Sequence, residues 1–340
     1  MSNARKLADN LPTDGSLSGR NMLINGDMSI AQREVTSYAV GDGHGYKNVD
    51  RWKVFAGNTA GRATMQQNTD APSGFNHSLK FSCTTADTSI AANESFGISQ
   101  FVEASTCART GTGTSGAEQL TLSFYAKADS TKTYVVQILN NKHSGYIHNN
   151  RTFTVTSSWQ RFEMTFQADT TADSKFDGTL TDAGFGLSFY LHAGSDFTSA
   201  TLASDWATGV TNRAAGTQSF FSSTNNRFYL TGCQLEVGPQ STPFEHEPVG
   251  VNLSKCQRYF YKLPMSTYGP FFCQYVSSHR FAHIWFPTRM RTTPTSSATN
   301  AGGTMYEYHP DPYHTKYYVT AGYDSGSSAY MQSFQADAEL

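Results

Sequence analysis

The sequence predicts an all-β protein: a large sandwich or jelly roll, then a smaller β-domain. Three observations carry this reading. Short stretches of strict apolar–polar alternation recur along most of the chain. Loops rich in Gly, Ser, Thr and Asn separate them, and no long helical periodicity interrupts them.

The chain is organised around RFYLTGCQLEVGPQSTPFEHEP at 227–248. Strand alternation sets Tyr229, Thr231, Cys233, Leu235 and Val237 on one side, and Leu230, Gly232, Gln234 and Glu236 on the other. Gly238 and Pro239 stop the strand, and two further prolines keep the chain beyond it extended. This reads as the last core strand of a large domain, with a stiff exit after it.

Upstream, NMLINGDMSI carries Asn25-Gly26, a turn signal. Strands are expected at 49–55, 78–83 and 95–102. LTLSFYAK alternates most cleanly, with Leu120, Leu122, Phe124 and Ala126 inward and Thr121, Ser123, Tyr125 and Lys127 outward. TYVVQIL keeps to the pattern less strictly, and Phe153 with Val155 marks another strand. QRFEMTF sets Phe162, Met164 and Phe166 on one face, and FGLSFYL does the same with Phe185, Leu187, Phe189 and Leu191. About eight or nine short strands result, the signature of a sandwich or jelly roll. The segment 193–226 is long for a loop and is expected to fold over one face.

The boundaries expected are a polar lead at 1–20, the sandwich at 21–248 and the smaller domain at 249–340. In the lead, Ala4, Leu7, Ala8 and Leu11 would line a two-turn docking helix ahead of Pro12. After Pro248, Asn252 is the expected N-cap of a short helix. Strands are expected at 280–286, 316–320 and 329–335. A unit of this size sits near the limit of an independent core, which self-association would relieve.

Charged residues make up 15% of the 340 and the formal net charge is −2, with no run of Lys or Arg. That excludes recognition of a nucleic-acid backbone, which needs clustered positive charge. No stretch is apolar enough for a membrane span, and the N-terminus has no secretory-type apolar segment, so synthesis in a reducing cytoplasm is expected. The five cysteines, Cys83, Cys107, Cys233, Cys256 and Cys273, form no CxxC pair and read as free, buried thiols.

Several stretches carry a family resemblance. NMLINGDM at 21–28 and LTLSFYAK at 120–127 resemble the opening and central strand of carbohydrate-binding-module-like jelly rolls. FYLTGCQLEVG, TPFEHEP and CQRYFYK resemble the end of that module in bacteriophage tail-fibre and related virion proteins. SNARKLADNL, FPTRMRTTPT at 286–295 and the closing ADAEL resemble the same virion family. The resemblance implies a jelly-roll domain, a small C-terminal β-domain, homotrimerisation, and attachment to a virion through the N-terminal segment. It also implies a structural Ca²⁺ that pins the first strand to the last, with Asp27 and Glu236 as carboxylates. No other cofactor is expected. The His/Tyr-rich segment at 306–318 departs from typical members.

Catalysis finds no support in the residues. Gly111 to Gly116 spells GxGxxG, but a strand rather than a helix comes next, so it reads as a loop. His309, Asp311 and His314 are separated by Pro310 and Pro312 and read as a surface loop. Glu245-His246-Glu247 reads as linker, because neighbours in an extended chain point opposite ways. No GxSxG motif occurs, and no carboxylate pair is identifiable.

Sugar binding is the chemistry that remains. Saccharides offer apolar C–H faces and many hydroxyls, which aromatic rings flanked by polar groups answer. Tyr125, Tyr190 and Trp206 are the candidates, the two tyrosines because they fall on the polar face of their strands. The alternative for those tyrosines is contact with a neighbouring subunit. Trp52 and Trp159 are expected in the core. The expected role is a virion fibre that binds host surface glycans without cleaving them; the rivals are a structural capsid decoration or adaptor and, last, a polysaccharide depolymerase.

Overall fold

The computed structural model describes residues 19–33, 37–41, 43–142, 145, 147–176, 181–263, 274–276, 279–300, 305–320 and 331–340. The docking helix expected around Ala4, Leu7, Ala8 and Leu11 lies outside them. The chain forms two compact units, the first ending at Glu247 and the second beginning at Pro248.

The first unit holds strands β1 (Tyr38–Val40), β2 (Gly45–Tyr46), β3 (Lys53–Gly57), β4 (Arg62–Asn68), β5 (Ser78–Thr85) and β6 (Ser95–Glu103). It continues with β7 (Leu120–Ala128), β8 (Lys132–Asn140), β9 (His148–Val155), β10 (Gln160–Phe166), β11 (Ala183–Ala193) and β12 (Arg227–Val237). Two short helices interrupt them, α1 (Ala104–Cys107) and α2 (Ser195–Thr198). One sheet runs β1-β4-β5-β12-β7-β10 and the other β2-β3-β6-β11-β8-β9, all antiparallel. From β5 to β12 the chain thus fills β5-β12-β7-β10 on one sheet and β6-β11-β8-β9 on the other. That is the strand order of an eight-stranded jelly roll.

Phenylalanines join the two layers. Phe124 on β7 meets Phe189 on β11 edge-on, with ring centroids 5.0 Å apart. Phe81 on β5 meets Phe96 on β6 at 5.2 Å, and Tyr134 on β8 meets Phe228 on β12 at 5.5 Å. Such pairs contribute about 0.5–1.5 kcal/mol each beyond area burial. The inward sets expected for β7 and β11 are fully buried, as is Trp52.

β12 departs from simple alternation. Its pairing with β7 shifts register between Thr231 and Gln234, where Gly232 takes φ +61°. This bulge inserts one residue, so Phe228 and Leu230 before it and Cys233 and Leu235 after it all join one core. The expected grouping of Tyr229 and Thr231 with Cys233 is therefore corrected: the extra residue flips the face.

The opening segment completes the sheet beside that bulge. β5 pairs with β12 only at 227–230. Beyond it, Met22 N–H donates to Leu235 O at 2.8 Å and Cys233 N–H to Gly26 O at 2.9 Å. Asn25, at φ +57°, uses its side chain to bond Ile30 N, Ile30 O and Asp50 O, each at 2.9 Å.

Two expectations shift at their edges. β3 begins at Lys53 because 49–52 form a turn, and β4, whose outward residues are polar or small, escaped the pattern. The long segment after β11 does fold over its sheet: Phe197, Leu202 and Ala214 pack on Val135 and Tyr190.

In the second unit, helix α3 (Val249–Gln257) precedes β13 (Phe260–Leu263), β14 (Gln274–Val276), β15 (His279–Trp285) and β16 (Thr295–Asn300). The last three strands are β17 (Met305–Tyr308), β18 (His314–Thr320) and β19 (Met331–Asp337). They form sheets β13-β19-β16 and β14-β15-β18-β17, with Ile284, Phe286, Tyr317 and Phe334 in the core. The N-cap of α3 is Pro248, not Asn252, whose N–H already donates to Pro248 O at 3.1 Å inside the first turn.

Candidate functional site

The outer face of the sheet containing β12 has two ends with different fates. At the Val237 end the exit strand lies across it. Thr121 Oγ1 donates to Gly238 O at 2.7 Å, and an Arg161 guanidinium N–H donates to Thr242 O at 2.9 Å. Glu245 N–H donates to Gln234 Oε1 at 2.8 Å, while the Glu245 carboxylate accepts the Arg20 and Asn21 N–H groups at 2.8 and 3.0 Å. The Glu245-His246-Glu247 segment therefore includes a clamp between the entry and the exit of the jelly roll.

Glu236 sits 3% exposed beneath this exit. Its carboxylate accepts Thr242 N–H and Thr242 Oγ1–H, both at 2.7 Å, and Gln234 Nε2–H at 3.0 Å. Asp27 accepts Ser29 N–H at 3.3 Å and Ser29 Oγ–H at 3.0 Å. Ca²⁺ takes six to eight oxygen ligands. Here protein donors satisfy Glu236, Asp27 caps its own turn, and no cluster of three or more His, Cys, Asp or Glu fit for a metal occurs among the described residues. The donor set does not fit the calcium site expected from Asp27 and Glu236.

At the opposite end the face is aromatic, with Trp159 half-exposed and Tyr229 8% exposed. Trp159, in the turn between β9 and β10, donates its indole N–H to Asp70 Oδ1 at 3.0 Å. Lys127 Nζ donates to Asp70 Oδ2 at 2.5 Å and lies 5.4 Å from the Trp159 ring centre and 4.7 Å from that of Tyr229. Lys80 Nζ sits 5.5 Å from the Tyr229 ring. Burial raises the Asp70 pKa, but the hydrogen bonds from Lys127 and Trp159 and the charges of Lys127 and Lys80 outweigh it and hold the carboxyl below the ordinary range. Burial chiefly, with Asp129 and Asp70, raises the Tyr229 phenol.

Trp159 was expected in the core; it is half-exposed instead, because it sits in the turn between β9 and β10 and packs on Tyr229 of the outer face, ring centroids 6.1 Å apart. The signal in the sequence is its place directly after Ser157-Ser158, between two strands.

The three residues expected to bind sugar are not gathered into one site. Tyr125 is half-buried on this same face, under Phe75 at 5.3 Å, itself packed on Phe244 at 5.0 Å. Tyr190 belongs to the other sheet and is 6% exposed, roofed by the long loop with Phe197 at 6.5 Å. Trp206 is half-buried, donates its indole N–H to Gln167 O at 2.7 Å, and lies 6.2 Å from Phe185.

A Ser–His–Glu line does occur. His192 Nε2 is 2.8 Å from Glu94 Oε2, and His192 Nδ1 is 2.8 Å from Ser219 Oγ. His192 is wholly buried, and Ser219 Oγ accepts Phe221 N–H at 3.1 Å as a helical cap. The line braces the loop to β11, with His192 and Glu94 buried. The 111–116 stretch is a loop leading into β7, with Gly113 N–H donating to Asp169 O at 2.8 Å. Asp311 Oδ1 accepts Tyr313 N–H and His314 N–H at 2.7 and 2.9 Å, a turn between β17 and β18. Cys83, Cys107, Cys233 and Cys256 are free and buried; Cys273 lies outside the described residues. Burial pushes the Cys107 thiol up to about 12.

No protein-family model matches the sequence, and no curated protein matches it. Among solved structures it is similar to a CBM4 module, with 15% identity over 63% of this chain and 97% of that one, at a TM-score of 0.32. It is also similar to the family 11 carbohydrate-binding module of Clostridium thermocellum in complex with a mixed-linked tetrasaccharide (14% identity, 63% and 99% coverage, TM-score 0.30). A third is the enzymatically active domain of bacteriophage CBA120 tailspike protein 4 (9% identity, 64% and 21% coverage, TM-score 0.31). Likenesses this distant carry no argument about this chain; the jelly roll rests on its own strand order.

Proposed function

We propose that the protein binds surface glycans without cleaving them, and that the Trp159 end of the jelly roll is the binding face. The observation that carries this is the half-exposed Trp159 indole, fixed by Asp70 at 3.0 Å, with Lys127 between it and Tyr229. Lys127 lies 5.4 Å from the indole ring centre and Tyr229 meets the ring edge-on at 6.1 Å, and the exposed part of the indole would take the C–H face of a pyranose. Asp70 is an acceptor, and Lys80 and Lys127 are donors, for the sugar hydroxyls. The ring is already held in place, so little ordering cost remains on binding.

The wider setting we propose is a bacteriophage fibre, on the resemblance of FYLTGCQLEVG, TPFEHEP, CQRYFYK and FPTRMRTTPT to virion proteins. Trimerisation would multiply a weak single-site affinity through effective concentration. A glycan array probed with the wild type and with Trp159→Ala tests the binding face. Loss of every neutral-glycan signal in the variant is expected; unchanged neutral-glycan signals sink this face, and an array blank for both sinks glycan binding. Light scattering tests the fibre setting, where a trimer mass is expected and a monomer argues for a different place.

A further inference from the structure

The four-stranded sheet of the second unit exposes an aromatic grid. β15 and β18 align Phe281 with Tyr318, His283 with Lys316 and Trp285 with His314. β17 adds Tyr306 beside Tyr318 and Tyr308 beside Lys316. Because side chains alternate, these eight share one face, while Ala282, Ile284, Thr315 and Tyr317 are buried on the other. The rings lie nearly flat on one another: Trp285 stacks on His314 at 4.8 Å and 18°, and Tyr306 on Tyr318 at 5.2 Å and 21°. Trp285 is nevertheless 66% exposed, and Tyr306 and Tyr308 are 45% and 46% exposed. An apolar patch this continuous marks a place of contact.

Lys316, His283 and His314 stand in the grid, and Arg289 lies 5.5 Å from the ring of Tyr313 at its rim. No carboxylate occupies the grid among the described residues. Glu307 falls on the opposite face, paired with Tyr317 and accepting the Thr315 hydroxyl at 2.8 Å. Asp311, at the rim, accepts the Tyr313 and His314 N–H groups and pairs with the His314 ring, its Oδ1 2.9 Å from His314 Nδ1. Among the described residues this leaves Lys316 as the unpaired cation of the grid. Burial, then the charges of Lys316 and His314, lower the His283 pKa, which favours its neutral form and makes it an N–H donor rather than a cation.

We infer that this face binds an acidic saccharide, its rings taking the C–H faces of the sugars and Lys316, with His283 beside it as an N–H donor, taking a carboxylate. A two-fold contact with a second copy of the chain fits worse, since it would set Lys316 against its own image. A nucleic-acid backbone needs more cations than one lysine in the grid. The grid spans about 13 Å along the strands and about 10 Å across them, enough for a short run of sugars. This site is separate from the Trp159 face and does not depend on it.

The test uses the full chain and three carboxylated polymers: polygalacturonate, alginate and polysialate. Affinity electrophoresis measures binding, with carboxyl-reduced polygalacturonate as the neutral control. Retention by at least one acidic polymer is expected, weakened by salt and lost on carboxyl reduction. Trp285→Ala and Lys316→Gln should each weaken it by about tenfold. Both substitutions are at surface positions, and melting curves verify that each variant is folded. The inference is overturned if no acidic polymer is retained, or if both grid variants bind like the wild type. It is also overturned if Trp285→Ala lowers the mass measured by light scattering, because a second copy then covers the face.

Discussion

The N–H of Cys233 donates to the carbonyl of Gly26 at 2.9 Å, and a Cβ on Gly26 would stand 2.1 Å from Cys233 O. The opening Asn-Gly turn is thus seated on the bulge of the last jelly-roll strand, with no space for a side chain between them. Gly26→Ala should cost about 1–3 kcal/mol through forced displacement of the backbone. Chemical denaturation of the full chain measures it, and an unchanged midpoint would show that this contact does not hold the fold together.

Asp70 should keep its charge well into acid, because Lys127, Trp159 and Lys80 hold its pKa down against burial. Glycan binding through the Trp159 face is therefore expected to be flat from neutral pH to about pH 5, the ordinary carboxylate range lying lower still. Titration of binding against pH checks this. Asp70→Asn should lower affinity at every pH in that window.

His148 should make the loop over β8 and β9 acid-sensitive. Its Nε2 lies 2.9 Å from Gly209 O, so Nε2 carries the proton, and its Nδ1 accepts from Asn150 Nδ2 at 2.9 Å. Burial chiefly, and the Arg213 charge, lower its pKa from 6.5. The unfolded chain then takes up the proton more readily than the folded one. Its stability contribution is present above the unfolded pKa of about 6.5 and is lost as pH falls through the lower folded value. Melting temperature should drop over that window, with a shallower slope in His148→Gln.

The four described thiols should not react in the native state. Burial raises Cys83, Cys107 and Cys233, and all four are buried. Ellman's reagent should label Cys83, Cys107, Cys233 and Cys256 only with unfolding, as peptide mapping of the modified cysteines will report.

Thr242→Val should destabilise the exit by about 1–3 kcal/mol, because it removes the hydroxyl donor from buried Glu236. Since Thr242 and Gln234 already satisfy that carboxylate, excess calcium and EDTA should give the same melting temperature. A calcium-dependent rise would restore the metal site that the sequence suggested at Asp27 and Glu236.

The layered architecture was legible because burial on one face imposes a period of two, and β7, β10 and β11 carry it plainly. β4 was not, since only Ala63 and Met65 point inward among its polar residues. The bulge at Gly232 is invisible to a periodic reading, because one inserted residue leaves the letters unchanged while exchanging the faces. Site residues were harder still. Tyr125 and Tyr190 occupy equivalent outward positions in sequence terms, and what separates them is tertiary: a distant loop covers Tyr190 and Phe75 leans on Tyr125. Trp159 was hidden by the general burial of tryptophan, although its turn residues placed it outside any strand.

β12 lies between β5 and β7 in the interior of its sheet, yet it is the last jelly-roll strand to leave the ribosome. Until then, the nascent chain carries a sheet split down the middle, with two raw edges open to neighbouring chains on a polysome. Closure must therefore come as one late insertion between partners far apart in sequence, a slow step by its topology. Yield on expression should depend more on synthesis rate and chaperone supply than on the stability of the finished protein.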